Sequence, residues 1–595
     1  MFEAMFTARR CITGVGVLFL ISACSNSGGT SGTGGSPGSG SGGSGSGGSS
    51  SGGAQGSGGS GTGGTATGGS GTATGGTGTG SGGSATGGAG TPPGTGGSMP
   101  TAPTVVTSAN NAWWQTGTLT EASSGSANVT VNDTGTKQNW EGIGGAFNEI
   151  GWQQIQKLNA GDQTKIIDLL FGADGAHFAI GRIPIGASDY ATTRYSEDET
   201  SGDTSLGSFS ISQDMKFLIP YVKAAQAVNS KIRFWGSPWT PPTWMKTTSG
   251  SVNGNSCTLV GKTMFDGGCM NASTANLTTY AQYFAKWVAA YADQGITIDT
   301  VAPQNEPDYA EGYPSCLWAP ADLAKFVGQY LGPALSSAGT KIMLGTNSNG
   351  DSGKDDAVIT AIEGDSTAKT FPKMIGLQWG MLDNFEKTPS NYTKYNIPMW
   401  ATEHKCGNYP WMTSAGGANS CGFIACPAYV SSTAPNDLSY GVESWGYIEM
   451  AIAGGVTSYN AWNMVLDGGG AGNDTTRAWS QDGLITVMPS SCKGSTMGGI
   501  CLTPAYYVFR HVSAFAPPGG QVLSTSATTA MMSVNSSTAT STTAIAFKNA
   551  DGSETAVIYN GGSAVSSFIV AIAGKKYQFS MPAQGWATVY VPAGS

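Results

Sequence analysis

The chain has 595 residues, a formal charge of −9, 11% charged residues and no basic run, which argues against a nucleic-acid partner. Of its 92 glycines, 37 crowd into the 103 residues before residue 104, so the length overstates the folded body. About 490 residues remain, enough for one large domain and a small one.

At the N-terminus, Arg9 and Arg10 precede an apolar run from Ile12 to Ala23. That run is shorter than the roughly 20 apolar residues a bilayer span requires, and residues 1–24 read as an export signal. Its end, Ile21-Ser22-Ala23-Cys24, resembles a bacterial lipobox. The resemblance implies cleavage before Cys24, diacylation of its thiol, and an exported lipoprotein of the outer membrane or cell surface. Residues 25–103 are nearly all Gly, Ser, Thr and Ala and cannot bury a core. A Gly/Ser coil of about 75 residues reaches roughly 45–50 Å, which suits a tether between a membrane and a folded body.

From Gly142 onward, short apolar runs alternate with helical patterns. The expected strands are Gly142–Phe147, Phe178–Ile185, Lys231–Pro238, Ile298–Glu306, Lys341–Asn347, Met374–Gly380, Ile397–His404 and Ser458–Val465. Between them, Asp214–Val228 carries Met215, Leu218, Ile219, Val222 and Ala225 at helical spacing, and Leu277–Asp293, Pro320–Ala338 and Gly441–Ala453 behave similarly. Eight strands alternating with helices predict an α/β fold, a (β/α)8 TIM barrel over residues 141–515. Beyond it, Ala544–Phe547 and Thr555–Tyr559 flank the turn Asn549-Ala550-Asp551-Gly552, and Ser567–Ile572, Lys576–Met581 and Trp586–Val591 follow. Residues 516–595 should therefore form a small β-sandwich, joined by a strand or two from residues 104–140.

Without Cys11 and Cys24, the cysteines are Cys257, Cys269, Cys316, Cys406, Cys421, Cys426, Cys492 and Cys501. An even set in an exported chain favours disulfides, and the local pairs Cys257–Cys269 and Cys492–Cys501 are expected; the other four stay open. Three histidines and no C-x2-C spacing argue against zinc. No cofactor is expected.

Two carboxylates close strands of the barrel. Glu306 ends Val301-Ala302-Pro303-Gln304-Asn305-Glu306 on the fourth strand, and Glu403 ends Met399-Trp400-Ala401-Thr402-Glu403 on the seventh. A barrel brings such strand ends to one mouth, where chemistry collects. Glycosidic cleavage needs such a pair, one carboxyl to protonate the leaving oxygen and another to attack the anomeric carbon or activate water. His404, next to Glu403, should point to the opposite side of its strand and pack.

Several motifs in order then make the chain resemble glycoside hydrolase family 30, whose best-known members are the acid glucosylceramidases. They are Gly142-Ile143-Gly144-Gly145-Ala146-Phe147, Arg182-Ile183-Pro184-Ile185-Gly186-Ala187-Ser188-Asp189-Tyr190, Ser237-Pro238-Trp239-Thr240-Pro241-Pro242-Thr243-Trp244-Met245-Lys246-Thr247, Gln304-Asn305-Glu306-Pro307, Thr402-Glu403 and Ala461-Trp462-Asn463. The resemblance implies a retaining hydrolase of β-linked glycans or glycolipids, with Glu306 as acid/base and Glu403 as nucleophile. It also implies that Asn305 bonds the sugar 2-OH, that Asp189, Trp239 and Trp462 line the glycone pocket, and that Arg182 keeps Glu403 ionised. Trp379, on the sixth strand, joins them as a substrate-binding residue.

Three segments depart from the glucosylceramidase pattern: Glu149, Gln378-Trp379-Gly380 where His-Trp-Tyr is usual, and His404 to Trp411. They line the cleft and widen the expected substrates to β-1,6-glucan, β-1,6-galactan and xylan cut internally. A catalytically inactive carbohydrate-binding surface protein is the alternative of another class, and the presence of both glutamates argues against it.

Overall fold

The computed structural model describes residues 99–347, 355–378, 390–404, 438–467, 482–488, 492, 494–527 and 541–595. The export signal with Cys24, the linker to residue 98, Trp379, residues 405–411 and the glycine-rich loop after Asp467 lie outside the described residues.

Eight parallel strands close a barrel in the order expected from the sequence. They are β1 (Gly142–Ala146), β2 (Ile180–Ile185), β3 (Arg233–Pro238), β4 (Ile298–Val301), β5 (Lys341–Asn347), β6 (Pro372–Gln378), β7 (Met399–Glu403) and β8 (Val456–Asn463). With helices outside and a packed interior, such strands are buried on both faces and read as continuous apolar runs; every residue of β2 and β8 is buried. Ile180, Trp235, Ala302, Met343, Met374 and Trp400 fill the lower interior. Beneath them Arg233 pairs with Glu141 at 2.8 Å and Asp299 at 3.1 Å. These layers fill the lower end of the barrel.

The helix after β3 shows how local sequence sets an element. Thr274–Asp293 buries Leu277, Tyr280, Ala281, Phe284, Trp287, Val288 and Tyr291, a stripe at three- and four-residue spacing. Each large side chain so buried contributes about 1.5–3 kcal/mol. The helix starts three residues before the expected Leu277, because Ser273 accepts from Asn276 N and caps it at 3.2 Å.

Five strands are shorter than expected, and the fourth falls furthest short. The β4 ladder ends at Val301, not Glu306. Pro303 has no N–H to donate, and Glu306 adopts a left-handed φ of 48° before Pro307. The segment stays attached through Ala302 N to Gly236 O (2.8 Å), Asn305 N to Pro238 O (2.7 Å) and Glu306 N to Thr346 O (3.1 Å).

Three ladders slip by one residue near their upper ends. Gly345 and Asn347 pair with the consecutive Gly376 and Leu377, so Thr346 is extra in β5. Ala401 and Glu403 pair with Leu377 and Gln378, making Thr402 extra in β7. Ala461 and Asn463 pair with Gly145 and Ala146, making Trp462 extra in β8. A bulge breaks the alternation of side chains and re-aims them.

The sandwich takes four strands from the N-terminal segment, more than the one or two expected: Thr104–Ala109, Ala112–Gly117, Thr120–Glu121 and Val129–Asn139. The last is long enough to pair with Gln521–Thr525 and with Val565–Ile572, so it joins both sheets. The expected hairpin turn is present, with Asn549 N donating to Ser553 O at 2.8 Å and Gly552 at φ 84°. Among the described residues, no exposed large hydrophobic side chain falls on the sandwich, so it offers no apolar platform there. Cys257–Cys269 and Cys492–Cys501 are bonded as expected, and Cys316 is a buried free thiol. Cys406, Cys421 and Cys426 lie outside the described residues.

Candidate active site

Arg182, in the middle of β2, is fully buried and organises the mouth of the barrel. Its Nη1 lies 2.5 Å from Glu403 Oε2, its Nη2 donates to Asn305 Oδ1 at 2.6 Å, and Nε and Nη2 both reach Ser237 Oγ at 3.1 and 3.0 Å. One guanidinium thus ties the ends of β2, β3, β4 and β7. Its planar fork of donors suits that task, and a lysine could not make all four bonds. Its Cζ also lies 4.4 Å from the Trp239 ring centre, 4.9 Å from Trp235 and 5.4 Å from Trp462.

Glu306 stands opposite in character. Burial pushes its carboxyl well above the usual range, and the charge of Glu403 adds to the shift. The Gln378 amide, donating to Glu306 Oε1 at 3.1 Å, works the other way. Tyr313 places its hydroxyl 3.2 Å from Oε2. Glu403, by contrast, has a guanidinium against it, which favours the carboxylate. The two carboxyls on one barrel rim thus stand in contrasting surroundings, one buried and pushed up, the other against a guanidinium, the kind of contrast that lets one give a proton while the other carries charge.

The three bulges explain how neighbouring groups converge here. Extra Thr346 accepts Glu306 N on its carbonyl and donates its hydroxyl to Gln304 O at 3.1 Å. Thr402 puts its hydroxyl 3.0 Å from Gln378 Oε1. Trp462 stacks on Trp239, with centres 5.2 Å apart and planes 25° apart, and meets Tyr190 edge-on at 5.8 Å.

The structure brings Glu306, Glu403, Asn305, Arg182, Trp239 and Trp462 together. Asp189 is buried on the loop after β2 and near enough to act electrostatically on Arg182 and Tyr313. Trp239 and Trp462 are 2% and 1% exposed and each covers a face of the other, so any sugar meets their remaining edges and faces. Glu149 takes no part in the mouth: its carboxylate accepts from Thr192 N at 2.7 Å and from the Thr192 hydroxyl, anchoring the loop that carries Asp189 and Tyr190. His404 points away as expected, its Nδ1 2.5 Å from Tyr459 Oη and its Nε2 3.1 Å from Ser444 Oγ. Tyr313, Ser237, Thr402 and the role of Gln378 were not foreseen. Gln378 had a signal, as a departure from the family pattern, whereas nothing in the sequence around Tyr313 distinguishes it.

A closed (β/α)8 barrel with an electrostatically divided carboxyl pair on its C-terminal rim defines a class, the barrel hydrolases that work with two acids. The sequence profile of the glycosyl hydrolase family 30 TIM-barrel domain matches residues 140–415, and that of the family 30 beta sandwich domain matches residues 531–589, together more than half of the chain. The chain belongs to glycoside hydrolase family 30. It is 26% identical over 495 residues to the endo-1,6-beta-D-glucanase neg1 of Aspergillus fumigatus, covering 78% of this chain and 88% of that one. The lysosomal acid glucosylceramidase of Mus musculus is 25% identical over 442 residues, covering 72% and 77%. Among solved structures, the endo-beta1,6-glucanase BT3312 superposes with a TM-score of 0.67 at 21% identity, covering 83% of this chain and 99% of that one. SrfJ from Salmonella typhimurium superposes at 0.64 with 18% identity, covering 82% and 99%. These two likenesses describe the fold.

Proposed function

We propose that this glycoside hydrolase cleaves β-linked glycans with retention, by double displacement. In the first step a Glu403 oxygen bonds the anomeric carbon while the glycosidic C–O bond breaks and Glu306 passes its proton to the leaving oxygen. In the second, Glu306 takes a proton from water, the water oxygen bonds the anomeric carbon, and Glu403 departs. The observation that carries this reading is the contrast between the two carboxyls: Glu306 buried and pushed up, Glu403 paired with Arg182 at 2.5 Å. Asn305, beside the Arg182–Glu403 pair, is the group for the sugar 2-OH, and Asp189, Trp239, Trp462 and Trp379 are the remaining substrate contacts.

Among substrates we favour a β-1,6-glucan cut internally over glucosylceramide. The match to a fungal endo-1,6-glucanase over 78% of this chain supports it, as does Gln378 standing where the glucosylceramidase pattern has His. The test is a panel of β-1,6-glucan, β-1,6-galactan, xylan and glucosylceramide. Fragmentation of β-1,6-glucan at a rate at least tenfold above the others is expected; faster turnover of glucosylceramide would overturn the assignment. A Glu403→Gln variant that hydrolysed the preferred glycan at the wild-type rate would sink the mechanism. We further propose that lipid on Cys24 holds the enzyme at the bacterial surface. Incorporation of labelled palmitate that Cys24→Ala abolishes is expected, and unlabelled wild-type protein would refute it.

A further inference from the structure

Gln378 closes β6 and is fully buried, and its orientation follows from a chain of donors. A guanidinium has no acceptor, so the Asn305 atom 2.6 Å from Arg182 Nη2 is its carbonyl oxygen, Oδ1. Gln378 lies 3.1 Å from that same oxygen and must present its Nε2 there. The other N–H of this amide reaches Glu306 Oε1 at 3.1 Å. The Gln378 carbonyl is left to face the Thr402 hydroxyl at 3.0 Å, on the extra residue of the β7 bulge. Each link leaves the next a single way to point.

Two consequences reach the reacting atoms. Both oxygens of the Glu306 carboxylate accept a bond, Oε1 from the Gln378 amide and Oε2 from the Tyr313 hydroxyl at 3.2 Å, but an amide N–H can only donate whereas a hydroxyl can turn to accept, so the transferable proton sits on Oε2. Asn305 Oδ1 is occupied by Arg182 and Gln378, which leaves Nδ2 as the atom it offers to a sugar hydroxyl. We propose that Gln378 is a positioning residue that keeps the acidic proton of Glu306 on Oε2 and keeps Asn305 a hydrogen-bond donor toward the substrate. It touches no substrate and acts through Glu306 and Asn305. A neutral amide does this without a titration of its own, so the clamp holds at every pH at which the fold persists. The inference rests on Glu306 being the acid, as proposed above.

The test is Gln378→Met in the otherwise intact enzyme, with its melting temperature measured alongside. The probes are 2,4-dinitrophenyl β-gentiobioside, whose leaving group departs without a proton, and β-1,6-linked gluco-oligosaccharides, whose leaving alcohol needs one. Positioned proton transfer contributes about 10²–10⁴-fold. The variant should therefore lose at least about tenfold more kcat/KM on the oligosaccharide than on the aryl substrate. The alkaline limb of its pH profile should also move upward, because a donor to the Glu306 carboxylate is gone. Equal losses on both substrates with an unmoved limb would overturn the proposal. If Gln378→Met does not fold, Gln378→Glu serves: a second carboxylate there must raise the limb, and an unmoved limb contradicts. Should Glu306→Gln itself lose equally on both substrates, the acid assignment fails, and Gln378 falls with it.

Discussion

Glu306 combines a left-handed backbone with a buried carboxyl whose titration is pushed upward. A φ of 48° in a residue with a Cβ stores about 1–3 kcal/mol, held here by backbone bonds to Thr346 and, through Asn305, to Pro238. Glu403 is the first charge to raise the Glu306 carboxyl beyond burial itself. Replacing Glu403 by Gln should therefore lower it, and carboxyl carbon NMR of the variant should show Glu306 releasing its proton at a lower pH than in the wild type. No change would mean the two groups are not coupled. Arg182 carries the complementary prediction. Arg182→Met leaves Glu403 buried without its cation, a loss of about 3–5 kcal/mol of stability in urea unfolding at neutral pH. The deficit should shrink in acid, where Glu403 takes a proton; a deficit independent of pH would assign the loss to packing alone.

At the scale of elements, the loop after β2 rests on a buried acidic cluster. Asp214 accepts from Tyr195 and Tyr291 at 2.8 Å each, and Glu197 accepts Gly186 N at 2.8 Å. Burial pushes Asp214 from 3.8 up to about 7. Between those values the unfolded chain has released this proton while the folded chain keeps it, so the contribution of Asp214 declines as pH rises through that window. Asp214→Asn should gain melting temperature relative to wild type between about pH 4 and pH 7; a constant difference would contradict the assignment. The barrel strands and long helices were legible because burial on both faces and helical spacing leave a direct pattern in the residues. The bulges were not. Thr346, Thr402 and Trp462 sit in ordinary apolar runs, and only pairing with the neighbouring strand reveals each as an extra residue. The end of β4 misled for a related reason, since an extended segment without ladder partners reads like a strand. The pair Glu306 and Glu403 could be located because strand ends of a barrel converge by topology, whereas Tyr313 reaches Glu306 from a loop whose path the sequence does not disclose.

For the whole molecule, the barrel and sandwich share one aromatic seam. Trp113, from the N-terminal strands, stacks on Tyr507 at 5.0 Å, and Trp445 Nε1 donates to Thr543 Oγ1 at 2.7 Å. His511, on the last barrel helix, lies 2.8 Å from both Thr588 Oγ1 and Ser108 Oγ, linking that helix to two sandwich strands. Burial pushes this imidazole from 6.5 down to about 3. Below pH 6.5 the unfolded chain takes a proton that the folded chain refuses, so stability should fall as pH drops toward 3, and His511→Gln should flatten that part of the melting profile. An unaltered profile would place the acid sensitivity elsewhere. The seam keeps the sandwich against the helices behind the barrel, while the open rim holds Arg182, Glu306 and Glu403. The central claim is that Glu403 forms a glycosyl bond, and one measurement tests it most directly. The enzyme is incubated with a 2-deoxy-2-fluoro-β-glucosyl or gentiobiosyl fluoride, digested and analysed by mass spectrometry. The account predicts one covalent adduct, on the peptide carrying Glu403; an adduct on Glu306, or inactivation without any adduct at Glu403, would contradict it.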